Sequence, residues 1–187
     1  MNRIIGIILI AISAASFGTL AIIGRFAYAD GLDVTTLLFL RFSIAAVLMF
    51  AWMCIRKEPL PRGRTLLQLA GMGGLGYVGQ SFCFMSAIQY ASTGLVALLL
   101  YLYPVFVTVL TVIFQKVKLT RRTILALTLA TVGAALTANP QGGTLTGILL
   151  AVAAALIYAF YILVGTGVMK KVSSVQSSAV IFASAAL

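Results

Sequence analysis

An uncharged apolar run from Gly94 to Phe114 constrains this chain more than any other feature. At about 1.5 Å per helical residue the run extends about 30 Å, which matches the hydrocarbon core of a bilayer. Its small and polar residues recur at steps of three and four, and they are Gly94, Ala97, Tyr101, Pro104, Thr108 and Thr111. Because lipid favours apolar side chains and helix packing favours small or hydroxylated ones, this spacing predicts a transmembrane helix whose stripe faces inward.

Pro104 lies in the middle of this predicted helix and removes one backbone donor. The carbonyl of Leu100 then needs another donor, and Tyr101 and Thr108 lie on the same stripe. A kink that serves packing and a kink that lines a substrate path fit the sequence equally well.

The composition places most of the chain in the membrane. Of 187 residues, 62% are hydrophobic, and the mean hydropathy is +1.14. These values predict an all-α polytopic membrane protein, an antiparallel bundle of transmembrane helices. Cys54 and Cys83 are isolated in apolar runs and form neither a metal-binding nor a disulfide pattern.

The other helices of the bundle follow from the remaining apolar segments. We predict them at Ile4–Gly24, Thr35–Ile55, Leu66–Tyr90, Ile124–Ala138 and Leu145–Met169, and Ala179–Leu187 begins a seventh. The triplet Ala27-Tyr28-Ala29 imitates a signal-peptidase site. The apolar region before it exceeds the roughly 7 to 15 residues of a signal-peptide core, so we expect the first helix to be retained.

Several polar residues within these spans are candidates for a substrate cavity. Arg41 lies about two turns inside the second span, where it either snorkels or pairs structurally, or contacts an anionic substrate. Gln80, near the middle of the third span, makes an interhelical hydrogen bond or a substrate contact. Ser16 belongs to a mildly polar side of the first helix. Small residues in the glycine-rich third span form a second stripe, at Gly76, Gly79, Cys83, Ser86 and Tyr90.

The net charge of +10 comes from basic residues that alternate with the predicted spans. When successive loops are placed on opposite sides, nearly all of them fall on one side, at Arg3, Arg56–Arg64, Lys116–Arg122 and Lys170–Lys171. The positive-inside rule makes that side cytoplasmic, with a cytoplasmic N-terminus. The basic residues therefore indicate orientation in the cell or inner membrane, with lipid and not nucleic acid as the partner.

An internal comparison indicates a repeat. When Gly6 is set opposite Gly147, Gly24 meets Gly165 and Ser43 meets Ser184, with helix, loop and next helix in step. The offset contains an odd number of spans, so the second copy is inverted in the membrane, as in many transporters. We expect residues 1–138 to form the first repeat and residues 139–187 to begin the second, in a natural protein of about ten helices.

The chain resembles the ten-helix, EamA-type branch of the drug/metabolite transporter superfamily. The residues that carry the resemblance are Ser16-Phe17-Gly18-Thr19, Arg41, the run from Ala87 to Leu99, Tyr103-Pro104-Val105-Phe106, Gly133 and Tyr158-Ala159-Phe160-Tyr161. One departure is the segment from Phe114 to Lys118, where the family usually carries a Gly-Glu-Lys-like turn. The resemblance implies a carrier of small metabolites or drugs, with export as the direction.

The chain lacks the side chains that a membrane-embedded enzyme needs. It has no histidine, and its three acids, Asp30, Asp33 and Glu58, all lie in predicted loops. We therefore expect no catalysis, metal or cofactor, and no carboxylate proton relay in this part of the protein.

The function we expect is transport of a small metabolite by alternating access. The candidate cavity residues are Ser16, Arg41, Gln80, Tyr90, Tyr101, Pro104, Thr108, Tyr158 and Tyr161. The alternative is a membrane scaffold or assembly factor that transports nothing, which the composition alone also permits. The sequence leaves open whether the protein is a homodimer.

Overall fold

A computed structural model describes residues 3–116, 119–137 and 142–187. The α-helices in these ranges are α1 (Arg3–Ala29), α2 (Val34–Ile55), α3 (Arg64–Gly71), α4 (Val78–Tyr90), α5 (Thr93–Leu100), α6 (Tyr103–Gln115), α7 (Arg121–Thr137), α8 (Leu145–Val168) and α9 (Ser174–Ala185). A π-helical segment, Met72–Tyr77, joins α3 to α4, and a 3-10 turn, Met169–Lys171, follows α8.

Within the described ranges, four stretches are long and apolar enough to cross a membrane. They are Ile4–Ala29, Val34–Ile55, Thr93–Gln115 and Leu145–Lys171. The predicted fold class, an all-helical polytopic membrane protein, is therefore confirmed. Part of the fifth predicted span, Ala138, and part of the turn after it, residues 139–141, lie outside the described residues.

Side-chain caps determine where several helices begin. Asp33 accepts hydrogen bonds from the amides of Thr35 (3.0 Å) and Thr36 (3.1 Å) at the start of α2. The hydroxyl and amide of Thr36 also hold the pKa of the Asp33 carboxyl below its ordinary value. At α9, Ser173 and Gln176 form a reciprocal capping box. These caps supply acceptors for amides that have no partner within the helix.

The predicted membrane span through Gly94–Phe114 is present as Thr93–Gln115, but a turn interrupts it in the middle. Helix α5 ends at Leu100, a tight turn follows, and α6 begins at Tyr103. Pro104 therefore lies in the first turn of α6, where its missing donor has no helical acceptor to lose. The proline therefore begins the second helix of the span, directly after the turn that interrupts it.

The first half of the small-residue stripe is not the face that packs against the rest of the described bundle. In α5 the buried side chains are Leu95, Val96 and Leu100, whereas Gly94 and Tyr101 are exposed. The inward orientation predicted for the stripe is thus wrong for its first half within the described chain. Large apolar side chains fill this contact, mainly against α8.

Helix α8 forms the centre of the bundle. It packs along α4, α5, α6 and the π-helical segment. Its contact face is made of alanines at steps of three and four that have no exposed surface, namely Ala151, Ala154, Ala155 and Ala159. Small side chains let the neighbouring backbones approach closely, which strengthens dispersion contacts where lipid provides no hydrophobic driving force.

The loops meet at two opposite ends of the bundle. At one end Ser173 Oγ donates to Glu58 Oε2, and Gln176 Nε2 donates to the Pro59 carbonyl (2.7 Å), so the α2–α3 and α8–α9 loops touch. At the other end the Thr144 amide donates to the Tyr90 carbonyl (2.9 Å), which joins the α4–α5 turn to the start of α8. The first end carries basic loops, in agreement with the predicted separation of charge.

Candidate functional site

A row of aromatic rings crosses the interior of the bundle. Its members come from α2, the π-helical segment, α8 and α6, and in order they are Phe42, Tyr77, Tyr161, Tyr158 and Tyr103. Neighbouring ring centroids are 4.9 to 6.1 Å apart. Such spacing is typical of favourable aromatic pairs, so each ring of the row contacts the next.

Arg41 lies at one end of this aromatic row. Its Nη2 atom donates a hydrogen bond of 3.1 Å to the Tyr77 hydroxyl. Its guanidinium carbon also lies 5.4 Å from the centre of the Phe42 ring and 5.9 Å from that of Tyr77, within cation–π range. Tyr77 therefore partly offsets the free energy that is needed to place a charged arginine inside the membrane. This is what the interpretation of Arg41 as structurally paired requires.

A cavity of about 310 Å³ adjoins the row between the π-helical segment, α8 and α9. Its described lining consists of Tyr77, Tyr158, Tyr161, Met169, Ser174, Ser177, Ser178, Ile181 and Phe182. The volume is at the lower end of the range for small-molecule sites, about 300 to 1,000 Å³. The polar groups of this lining are hydroxyls, and none of the described lining side chains is acidic.

Only some of the predicted cavity residues meet at this site. Arg41, Tyr158 and Tyr161 do. Ser16 is exposed on α1, and Tyr101 is 57% exposed at the α5–α6 turn. Tyr90 lies at the far end of α4, in a separate groove with Asp33, Thr146 and other residues.

The remaining predicted residues have partners within their own segments. Gln80 is 6% exposed and accepts a hydrogen bond from the neighbouring Ser81 hydroxyl (3.2 Å). The Thr108 hydroxyl donates to the Pro104 carbonyl (2.8 Å), one turn earlier in α6. It therefore does not serve the Leu100 carbonyl, as the sequence suggested it could.

Sequence reasoning missed two tyrosines of the site, Tyr77 and Tyr103, and the serines of α9. Tyr77 lies beside the predicted small-residue stripe and within a π-helical segment, where steps of three and four no longer define a face. The signal that could have found it is Arg41, because an arginine inside a membrane needs a hydrogen-bonding partner.

The described side chains of the site contain no grouping suited to metal binding. No cluster of three or more histidine, cysteine or acidic side chains occurs in the part of the chain that the structure describes. What the arrangement offers is a set of hydroxyl groups, flat aromatic faces and one guanidinium, which together can hold an organic molecule.

The helical bundle and its internal polar site define a multi-pass membrane protein. The chain belongs to the EamA-like transporter family, whose sequence pattern matches residues 4–139. It is 34% identical over 164 residues to a protein of Archaeoglobus fulgidus described as an uncharacterized transporter. That match covers 87% of this chain and 56% of the relative, so the chain spans little more than half of the relative's length.

A solved crystal structure has the same fold. It matches with a TM-score of 0.64 and 22% sequence identity, over 93% of this chain and 65% of the other. At this identity the likeness concerns the arrangement of helices alone.

Proposed function

We propose that this chain is part of a carrier that exports a small metabolite from the cell by alternating access, without catalysis. The observation that carries the proposal is the cavity beside Tyr77, Tyr158 and Tyr161, since hydroxyl groups facing a cavity inside a membrane bundle mark a path for a polar solute. The family membership and the name of the archaeal relative support the same class of activity.

The proposed mechanism rests on two inverted repeats, residues 1–138 and the copy that begins at residue 139. In support, α1 and α2 follow one another as α8 and α9 do, at the offset that sets Gly6 opposite Gly147. The repeat-related helices α2 and α9 also pack directly against each other. Rocking of one repeat against the other would open the site to each side in turn.

Transport by the full-length protein in proteoliposomes tests the proposal. A panel of radiolabelled carboxylates, amines and neutral metabolites identifies the solute, and Tyr158→Phe then removes one cavity hydroxyl while keeping its ring. We expect flux to fall about fivefold, which corresponds to one hydrogen bond of about 1 kcal/mol. The melting temperature in detergent should change little, because the ring contacts with Tyr103 and Tyr161 remain.

The matched control for this test is Tyr101→Phe, which removes the same group from an exposed side chain. Flux through that variant should equal that of the parent. A loss confined to Tyr101→Phe would move the path to the outer face of α5, and absence of flux for the whole panel would favour a scaffold.

The orientation we propose places the basic end in the cytoplasm, in a cell or inner membrane. Exposed loop residues allow a test in a variant without native cysteines, Cys54→Ser and Cys83→Ala. Leu60 is 44% exposed at the basic end, and Leu32 is 38% exposed in the α1–α2 turn. Each is replaced by cysteine in a separate variant, Leu60→Cys or Leu32→Cys. We expect a membrane-impermeant maleimide added outside cells to label only Leu32→Cys. The opposite pattern would invert the topology.

A further inference from the structure

We infer that the cavity binds a planar organic anion, and that Arg41 acts on it through the Tyr77 hydroxyl. This inference deepens the proposed function, on which it rests, by naming the chemical class of the substrate. It depends on the direction of one hydrogen bond and on the location of the chain's charges.

The hydrogen bond between Arg41 and Tyr77 has only one possible direction. A guanidinium has donors and no acceptor, so Tyr77 Oη accepts from Arg41 Nη2 at 3.1 Å. The hydroxyl proton of Tyr77 is therefore left to donate elsewhere, and Tyr77 lines the cavity. Accepting a hydrogen bond from the Arg41 cation also polarises the Tyr77 hydroxyl and makes it a stronger hydrogen-bond donor.

No described side chain of the cavity lining is charged, and the Arg41 guanidinium is connected to the lining by its hydrogen bond to Tyr77. Two of the chain's three acids have other partners, because Asp33 caps α2 and Glu58 accepts from Ser173. Asp30 lies in the α1–α2 turn, and the described cavity lining contains no acid. A ligand that brings a negative charge would offset the cost of holding Arg41 inside the bundle, whereas a cationic ligand would add to it.

The aromatic side chains of the cavity lining favour a flat molecule. The Tyr158 and Tyr161 rings are nearly parallel, inclined by only 15° with centroids 6.1 Å apart, and both line the cavity. Ser177 and Ser178 on α9 also line the cavity, and Ser177 Oγ donates to the Ser174 carbonyl (3.1 Å). The cavity thus has aromatic rings that can contact a planar ring and a polarised hydroxyl that can donate to an anionic group.

Ligand-induced stabilisation of the detergent-solubilised full-length protein tests the inference. Benzoate and benzylamine share a ring and carry opposite charges at pH 7, and benzamide is the neutral form of similar shape. We expect benzoate to raise the melting temperature in a saturable manner and benzylamine to leave it unchanged. Equal stabilisation by all three probes, or preference for benzylamine, would overturn the assignment of an anion.

Variants show whether Arg41 acts on the ligand through the Tyr77 hydroxyl or through its own charge. Arg41→Gln and Tyr77→Phe should each weaken benzoate binding about tenfold, and the double variant should lose little more, since both changes interrupt one path. Tyr77→Phe keeps the ring contacts of Tyr77 and thus serves if Arg41→Gln fails to fold. Unchanged benzoate affinity in Tyr77→Phe would overturn the role of its hydroxyl.

A purely structural role for Arg41 makes a different prediction. It would lower the melting temperature of the ligand-free variants while leaving the dissociation constant for benzoate unchanged, which would also overturn the inference. Flux is measured separately, so that benzoate binding without transport of any labelled solute would refute the carrier and leave the anion site standing.

Discussion

Replacing Gly73 with alanine is expected to destabilise the bundle by about 1 to 3 kcal/mol, as overpacking of a close contact does. The added methyl group cannot be accommodated without movement, because a Cβ atom at this position would collide with Ser184 Oγ and the Ile181 carbonyl of α9. It would also lie 2.9 Å from the Ile181 Cα atom. Since backbone atoms block the space, α9 itself would have to shift away from the π-helical segment.

The same movement is expected to impair the candidate site. Helix α9 contributes Ser177, Ile181 and other residues to the cavity lining, opposite Tyr77. We therefore expect Gly73→Ala to lower both the melting temperature in detergent and the flux in proteoliposomes of the full-length protein.

Gly71→Ala is the matched control, because Gly71 lies two residues earlier and a Cβ atom there meets nothing within 4 Å. Alanine is the better helix former by up to about 1 kcal/mol, so this variant should be as stable as the parent or more so. Equal destabilisation by both substitutions would mean that α9 does not cross at Gly73.

The contrast between these two glycines illustrates what the sequence can and cannot predict. The density of glycine between Gly71 and Gly79 correctly predicts close helix approach in this segment. It does not indicate which glycine is in contact, because that depends on where α9, distant in the chain, crosses the segment. Local patterns give the helices, and long-range packing decides which side of each helix is buried.

The same limit explains why the turn within the Gly94–Phe114 span and its buried face were not predicted. Its apolar run is long enough for one transmembrane helix, and the spacing of its small residues suggests one inward face. The structure instead divides the run before Pro104, whose ring suits the first turn of a helix better than its interior. Large side chains such as Val96 then supply the packing, and the stripe loses its predicted role in α5.

The candidate site was likewise predictable in its individual residues but not in the contacts between them. Arg41, Tyr158 and Tyr161 stand out in the sequence as polar or aromatic groups in apolar spans, and the structure brings them to one region. Their connection through Tyr77 was not predictable, because it depends on the contact of the π-helical segment with both α2 and α8.

Replacing Phe42 with alanine is expected to cost about 3 to 5 kcal/mol of stability and to disturb the site as well. Phe42 is only 1% exposed, and its ring lies 5.4 Å from that of Tyr77. Its removal would leave a cavity beside Tyr77 and take away one of the two rings next to the Arg41 guanidinium. We therefore expect a lower melting temperature in detergent and weaker benzoate binding.

Phe39→Ala provides the control for this prediction, since Phe39 lies one turn earlier on α2 and is 56% exposed. In water, burial of either ring would be rewarded by the hydrophobic effect, but lipid chains are as apolar as the protein interior. The free energy of transferring a ring from lipid to the protein interior is then small. The loss of stability on substitution is determined by the packing contacts that are lost within the protein. Phe39→Ala should consequently change stability by less than about 1 kcal/mol, as surface substitutions do. A larger loss from Phe39→Ala than from Phe42→Ala would centre the packed face of α2 on Phe39 and separate Phe42 from the aromatic row.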